Sequence, residues 1–156
     1  MRSLRVSFSS STSMSARIFA WAVPLNFAWE MGQFPAYTGV HSSLWRTVQE
    51  CGVHSLIDGL FVLGIFWGGV LLFRRRDWIH RPGLAGYFWM GIAGFFVSVV
   101  IELNAVYRLG AWGYGEAMPL IPGLGVGLLP VLQMLVLPPV LLSLARKGIV
   151  HPLRSD

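Results

Sequence analysis

VHSLIDGLFVLGIFWGGVLLF, residues 53–73, followed at once by Arg74-Arg75-Arg76, decides what kind of fold this chain can have. At about 1.5 Å of rise per residue it crosses the ~30 Å hydrocarbon core of a bilayer. It carries one acid, Asp58, near its start. Working outward, a run over about 84–107 holds Glu102 and is closed by Arg108, and another over about 119–145 is closed by Arg146-Lys147. Upstream, about 17–37 is apolar but interrupted by Pro24, Asn26, Glu30, Gln33 and Pro35. Composition agrees with this pattern. The chain is 54% hydrophobic and 12% charged, where a soluble domain carries about 25% charged residues. The expectation is an all-α, polytopic membrane protein, a bundle of four transmembrane helices.

The basic residues punctuate these runs. Arg2, Arg5, Arg17, Arg74, Arg75, Arg76, Arg81, Arg146, Lys147 and Arg154 fall on one side, ten of the 12 Lys and Arg residues, and only Arg46 and Arg108 on the other. Positive residues stay in the cytoplasm, so both termini and the linker 74–83 are expected inside, in a bacterial inner membrane. The net charge of +5 is thereby explained by topology, and no nucleic-acid partner is expected. Residues 1–16 are Ser-rich and expected to be a disordered tail, with Met14 as an alternative start to Met1. Residues 17–147 form one transmembrane domain, and 148–156 a cytoplasmic tail. The single cysteine, Cys51, excludes an intrachain disulfide.

Orientation fixes depth. Glu30, Asp58 and Glu102 each lie roughly 8–11 Å below the outer end of their span. A charged side chain at membrane depth costs about 2.5–3.5 kcal/mol or more and is usually functional. Three at one depth imply one shared pocket, net negative and attractive to cations. Carboxylates brought together share a proton or bind a cation. Asn26, Glu30 and Gln33 follow at i, i+4 and i+7, one helical face. That face avoids lipid, which cannot satisfy it; a seam gluing helices together would use the same face. Cys51, His54 and Asp58, at i, i+3 and i+7, are all metal-ligand types but match no strict metal motif. A titrating pair of His54 with a carboxylate is the stronger reading. Glu102 and Asn104 point apart, and Arg108 is the alternative, structural partner for Glu102.

The last span starts with Met118-Pro119-Leu120-Ile121-Pro122-Gly123-Leu124-Gly125-Val126-Gly127. Gly and Pro predict a broken or re-entrant start, which membranes tolerate only where protein covers it or it lines a cavity. Gln133 lies deeper and would form the cavity floor. Trp112 and Tyr114, in the outer linker, would contact a ligand from above. Of the boundary aromatics Trp29, Trp45, Trp112, Tyr37, Tyr107 and Tyr114, most are expected as interfacial anchors and a few as a roof over the pocket.

The residues Asn26-x-x-Trp29-Glu30-x-x-Gln33-x-Pro35, Trp112-x-Tyr114, Met118-Pro119 and Gly125-x-Gly127-x-x-Pro130-x-x-Gln133 resemble a group of small bacterial four-span inner-membrane proteins, over about 20–145. The resemblance implies the architecture and marks those positions; it implies no activity. A looser likeness, by analogy only, is to the superfamily of sterol isomerases and sigma-type receptors, whose acidic residues face a lipid-like ligand.

Three functions fit. The first is an outward-facing acidic cavity that binds or transports a cation, a proton or a cationic amphiphile, either alone or in a homo-oligomer. The second is a lipid or isoprenoid isomerase or cyclase using Glu30, Asp58 and Glu102 as general acid and base. The third is a non-catalytic subunit of a membrane complex. No nucleophile triad, phosphate loop or haem-attachment motif is present, and no cofactor is expected.

Overall fold

The computed structural model describes residues 3–38 and 43–147; the tail 148–156 lies outside the described residues. Four helices form it: α1 (Ser3–Gln33), α2 (Leu44–Phe73), α3 (Gly83–Glu102) and α4 (Leu128–Lys147). α1 begins well before Arg17, so the serine-rich segment expected to be a loose tail is helical from Ser3. A helix already nucleated downstream extends at the gain of one hydrogen bond per residue. α2 ends where Arg74 takes a left-handed conformation, φ 53°, a common way to stop a helix. α3 continues as a wider π-helical stretch, Leu103–Leu109, stopped at Gly110 with φ 59°.

α1 packs against α2 and α4, and α4 against α3, while α2 meets α3 more lightly. The α3–α4 approach is close because Gly94 has no side chain: a Cβ there would collide with the Met134 carbonyl oxygen. Small residues at such crossings are how helices associate where no hydrophobic force separates protein from lipid. One end of the molecule is apolar and tightly filled. Ile18, Val62, Phe66, Trp78 and Leu141 are all buried there. Trp78 comes from the basic linker, which is more than a surface turn. Its indole is 2% exposed and donates to the Phe66 carbonyl at 3.1 Å.

At the opposite end, two pieces of irregular backbone carry the residues that close it. A two-stranded antiparallel ribbon joins β1 (Tyr37–Thr38) to β2 (Gly113–Tyr114), with Tyr37 opposite Tyr114. The sequence reading contained no strands. Beside the ribbon, the segment before α4 folds into a turn. Ile121 N–H donates to Val126 O at 2.9 Å and Leu128 N–H to Pro119 O at 2.7 Å, with Gly123 and Gly125 at φ 80° and 68°. The expected broken start is therefore irregular backbone that ends at Leu128. Pro138 and Pro139 sit inside α4 without ending it.

Leu44–Phe73, Gly83–Leu109 and Leu128–Lys147 are long and apolar enough to cross a membrane. The described residues are mainly helical, with one short ribbon, and three apolar helices give them the composition of a multi-pass membrane protein. α1 is not among those three, because Asn26, Glu30 and Gln33 add polarity to its apolar half and serines dominate its start.

Candidate functional site

The end of α1, the start of α2, the end of α3 and the start of α4 meet around a cavity of about 520 Å³. Of the expected site residues, Glu30, Gln33, His54, Asp58, Glu102, Trp112 and Gln133 line it, and Cys51 does too. Asn26 lies beneath it, and Tyr114 stands behind Glu102.

The floor is a hydrogen-bonded network centred on two glutamines. Gln133 is 2% exposed, Asn26 0% and Gln33 4%. The Gln133 amide N–H₂ donates to Asn26 Oδ1 at 3.0 Å and to Asp58 Oδ2 at 2.9 Å. Its carbonyl accepts from Gln33 at 2.9 Å. Gln33 also donates to Glu30 Oε1 at 2.9 Å and accepts from the Trp29 indole at 3.2 Å. Asn26 donates to the Ala22 carbonyl at 2.9 Å. Three helices thus share one amide network. No described buried side-chain nitrogen or oxygen lacks a partner, as a network in low dielectric requires.

The carboxylates divide into two groups. Glu30 and Asp58, from α1 and α2, are linked through the floor, Glu30 by Gln33 and Asp58 by Gln133, the two glutamines being bonded to each other. His54 stands at the mouth, its Nδ1 3.9 Å from Glu30 Oε2 and its side chain 43% exposed. Glu102 is on the α3 wall and 3% exposed. The Tyr114 hydroxyl donates to its Oε2 at 2.6 Å and the Trp112 indole, more loosely, at 3.5 Å. Arg108, the structural partner weighed from sequence, is exposed, and these two aromatic donors hold Glu102 instead. Asn104 turns away and donates to the Val100 carbonyl at 2.7 Å.

Three rings cap the cavity. Tyr37 lies 6.3 Å from Trp112, edge to face, and 6.1 Å from Tyr114, and Trp112 lies 5.4 Å from His54. Burial holds the Tyr114 phenol above its ordinary value, and its hydrogen bond to Glu102 adds to that. The hydroxyl therefore stays a donor.

A metal centre at Cys51, His54 and Asp58 does not form. Among the described residues no three His, Cys, Asp or Glu side chains come together as metal ligands. The spacing explains it: i to i+7 extends roughly 10 Å along a helix, too far for ligands about 2 Å from one ion. Sequence reading named neither Tyr37 nor Glu50 as site residues, yet both line the cavity. Glu50 had a local cue, since it precedes His54 by one helical turn. Tyr37 had only its place among the boundary aromatics, because its position depends on pairing with Tyr114, distant in sequence.

The chain matches no protein-family model, no curated protein and no solved structure. Function is therefore argued from the cavity alone.

Proposed function

We propose that this is a four-span inner-membrane protein whose cavity faces outward and binds an organic cation. The observation that carries the reading is the lining. Four acids, Glu30, Glu50, Asp58 and Glu102, line the cavity with no lysine or arginine among the lining residues. Aromatic rings close the top, and a cation against ring faces and carboxylates gains from both.

Size argues for an organic rather than an inorganic ion. About 520 Å³ is the size of a small-molecule site. It equals the liquid volume of roughly seventeen waters at ~30 Å³ each, far beyond one dehydrated metal ion. The apolar part of the wall, Ile57, Phe61, Ile101 and Met134, offers an inorganic ion nothing, while it suits a carbon-bearing one.

Two features support the topology. The exposed positions of α1 beyond Arg17 are Ala20, Trp21, Pro24, Ala28 and Gly32, a non-ionisable stripe at helical spacing. Its polar residues turn inward, so α1 presents to lipid what a span must. Exposed Arg74, Arg75, Arg76 and Arg81 lie at the end away from the cavity, which the positive-inside rule places in the cytoplasm.

Tetramethylammonium titrated into the protein in nanodiscs tests this, read as a rise in unfolding temperature. Binding in the wild type should weaken about tenfold or more in Glu102→Gln, a loss of ~1.4 kcal/mol or more. An unshifted wild type, or an unaltered response in both Glu102→Gln and Glu30→Gln, refutes the reading.

Two carboxyls, Glu30 and Asp58, lining one cavity and joined through Gln33 and Gln133 also favour a second reading, an isoprenoid isomerase in which one carboxyl protonates an alkene and the other removes a proton. Deuterium from D₂O would then enter an isoprenoid alkene in the wild type but not in Asp58→Asn.

A further inference from the structure

The cavity has a side as well as an end. Ile57 lines it and is nevertheless 43% exposed, so part of the cavity wall is also part of the lipid-facing surface of α2. Phe61, one turn further on, lines the cavity too, and Ser98 and Ile101 face it from α3. The two helices are joined elsewhere. The Trp89 indole on α3 donates to the Ile65 carbonyl on α2 at 2.9 Å. Its ring fills the space over Gly68, where a Cβ would lie 2.6 Å away. Ile65 is roughly 12 Å along the helix from Ile57. From that joint toward the capped end, Ile57, Asp58 and Phe61 of α2 and Ser98, Ile101 and Glu102 of α3 line the cavity from its two sides.

We infer that this seam is a lateral doorway and that the ligand is a single-chain amphiphile with an ammonium head, taken directly from the surrounding leaflet. This rests on the organic-cation reading and adds the ligand class and its route. The head lies among Glu102, Trp112 and Glu30. The chain leaves between Ile57 and Phe61 on one side and Ile101 on the other. A bare ammonium ion needs no apolar exit, and a neutral lipid needs no ring of acids; only an ammonium amphiphile uses both halves of the wall.

Energetics decide how to test this. A chain moving from bilayer to doorway passes from one apolar medium to another, so it gains no hydrophobic free energy there. Affinity expressed per lipid mole fraction is therefore a poor discriminator along a chain-length series, and the doorway has to be blocked instead.

The experiment compares tetramethylammonium, added from water, with dodecyltrimethylammonium, added as a low mole fraction of nanodisc lipid. Both are read as shifts in unfolding temperature. Ile57→Trp should weaken the dodecyl compound about tenfold or more relative to its effect on tetramethylammonium, the ratio of the two losses being the readout because Ile57 also lines the cavity. Ile101→Trp, from the opposite wall, should do the same and stands in if the first variant fails to fold. Leu60→Trp, on the exposed face of α2 and outside the cavity lining, should change neither. Equal losses of the two compounds, or no loss of either, in both folded doorway variants overturn the doorway. So does a wild type that binds tetramethylammonium but not the dodecyl compound. Failure of tetramethylammonium itself to bind the wild type removes the cation reading, and the doorway with it.

Discussion

The same four helices end in two different kinds of interior. At the end that holds Trp78, the space between them is closed by apolar side chains, with Phe66 and Leu141 at 1% and 0% exposure. At the end that holds Gln133 they are linked by amides and carboxyls, and a cavity remains. The difference teaches how four helices can enclose a pocket between them. Dispersion contacts favour closing every gap. Polar side chains resist closure, because each must keep a partner in its own geometry. Placing Asn26, Gln33, Asp58 and Gln133 on three helices at one level fixes their separation there. Trp78 and the glycine-lined crossings fix it at the other end. The helices are clamped at one end and held open at the other.

That contrast predicts opposite outcomes for its two keystones. Trp78→Ala should be the more damaging, costing about 3–5 kcal/mol for a large buried side chain whose space does not refill. Its tetramethylammonium affinity, measured on the fraction that stays folded, should be unchanged. Gln133→Leu should cost less, about 1–3 kcal/mol in all for the buried Asn26 acceptor it orphans, since Gln33 keeps Glu30 and Asp58 lines the cavity. It should also weaken tetramethylammonium, because Asp58 and Glu30 lose the amide that fixes them. Thermal unfolding and ligand titration on both variants settle this. A Gln133→Leu protein that is as stable as the wild type, or a Trp78→Ala protein that loses binding alone, breaks the division into two ends. A probe at the level of the cavity itself is Gly94→Ala, where the new methyl meets the carbonyl of Met134, a residue of the cavity wall. A cost of about 1–3 kcal/mol is expected, since the obstacle is backbone.

How much of this was legible in sequence differs between the two ends. Helical character, the three long apolar segments and the broken approach to α4 follow from run length, Gly and Pro, all local features. The grouping of Glu30, Asp58 and Glu102 around one cavity could be anticipated because depth along a helix is arithmetic once the spans are aligned. What depth does not supply is angle. It was silent on Glu30 and Asp58 being joined through Gln33 and Gln133 while Glu102 is held by Tyr114. It gave Cys51, His54 and Asp58 one helical face, though that face spreads them too far for a shared metal. The packed end was barely legible. Trp78 lies in a linker read as a basic turn, and only the partner groove made by Gly69 and Phe66 shows why a tryptophan belongs there. The Tyr37–Tyr114 ribbon joins residues from two distant linkers, and neither linker carries a local strand pattern.

The smallest expected effect concerns the lid of the open end, and it is a matter of pH. Tyr114 holds its phenolic proton above the ordinary value of 10.0, through burial first and the Glu102 hydrogen bond next. The folded protein therefore binds that proton more tightly than the unfolded chain does. The sign follows: stability from this group is complete below about pH 10 and is lost as pH rises through the folded value. Tyr114→Phe abolishes the titration and with it that share of the alkaline loss. Comparing unfolding temperature between roughly pH 8 and pH 11 should give a shallower decline in the variant than in the wild type. Parallel declines would mean that Tyr114 gives up its proton as readily folded as unfolded. The lid would then be a loose cover, and Glu102 would owe its orientation to Trp112 alone.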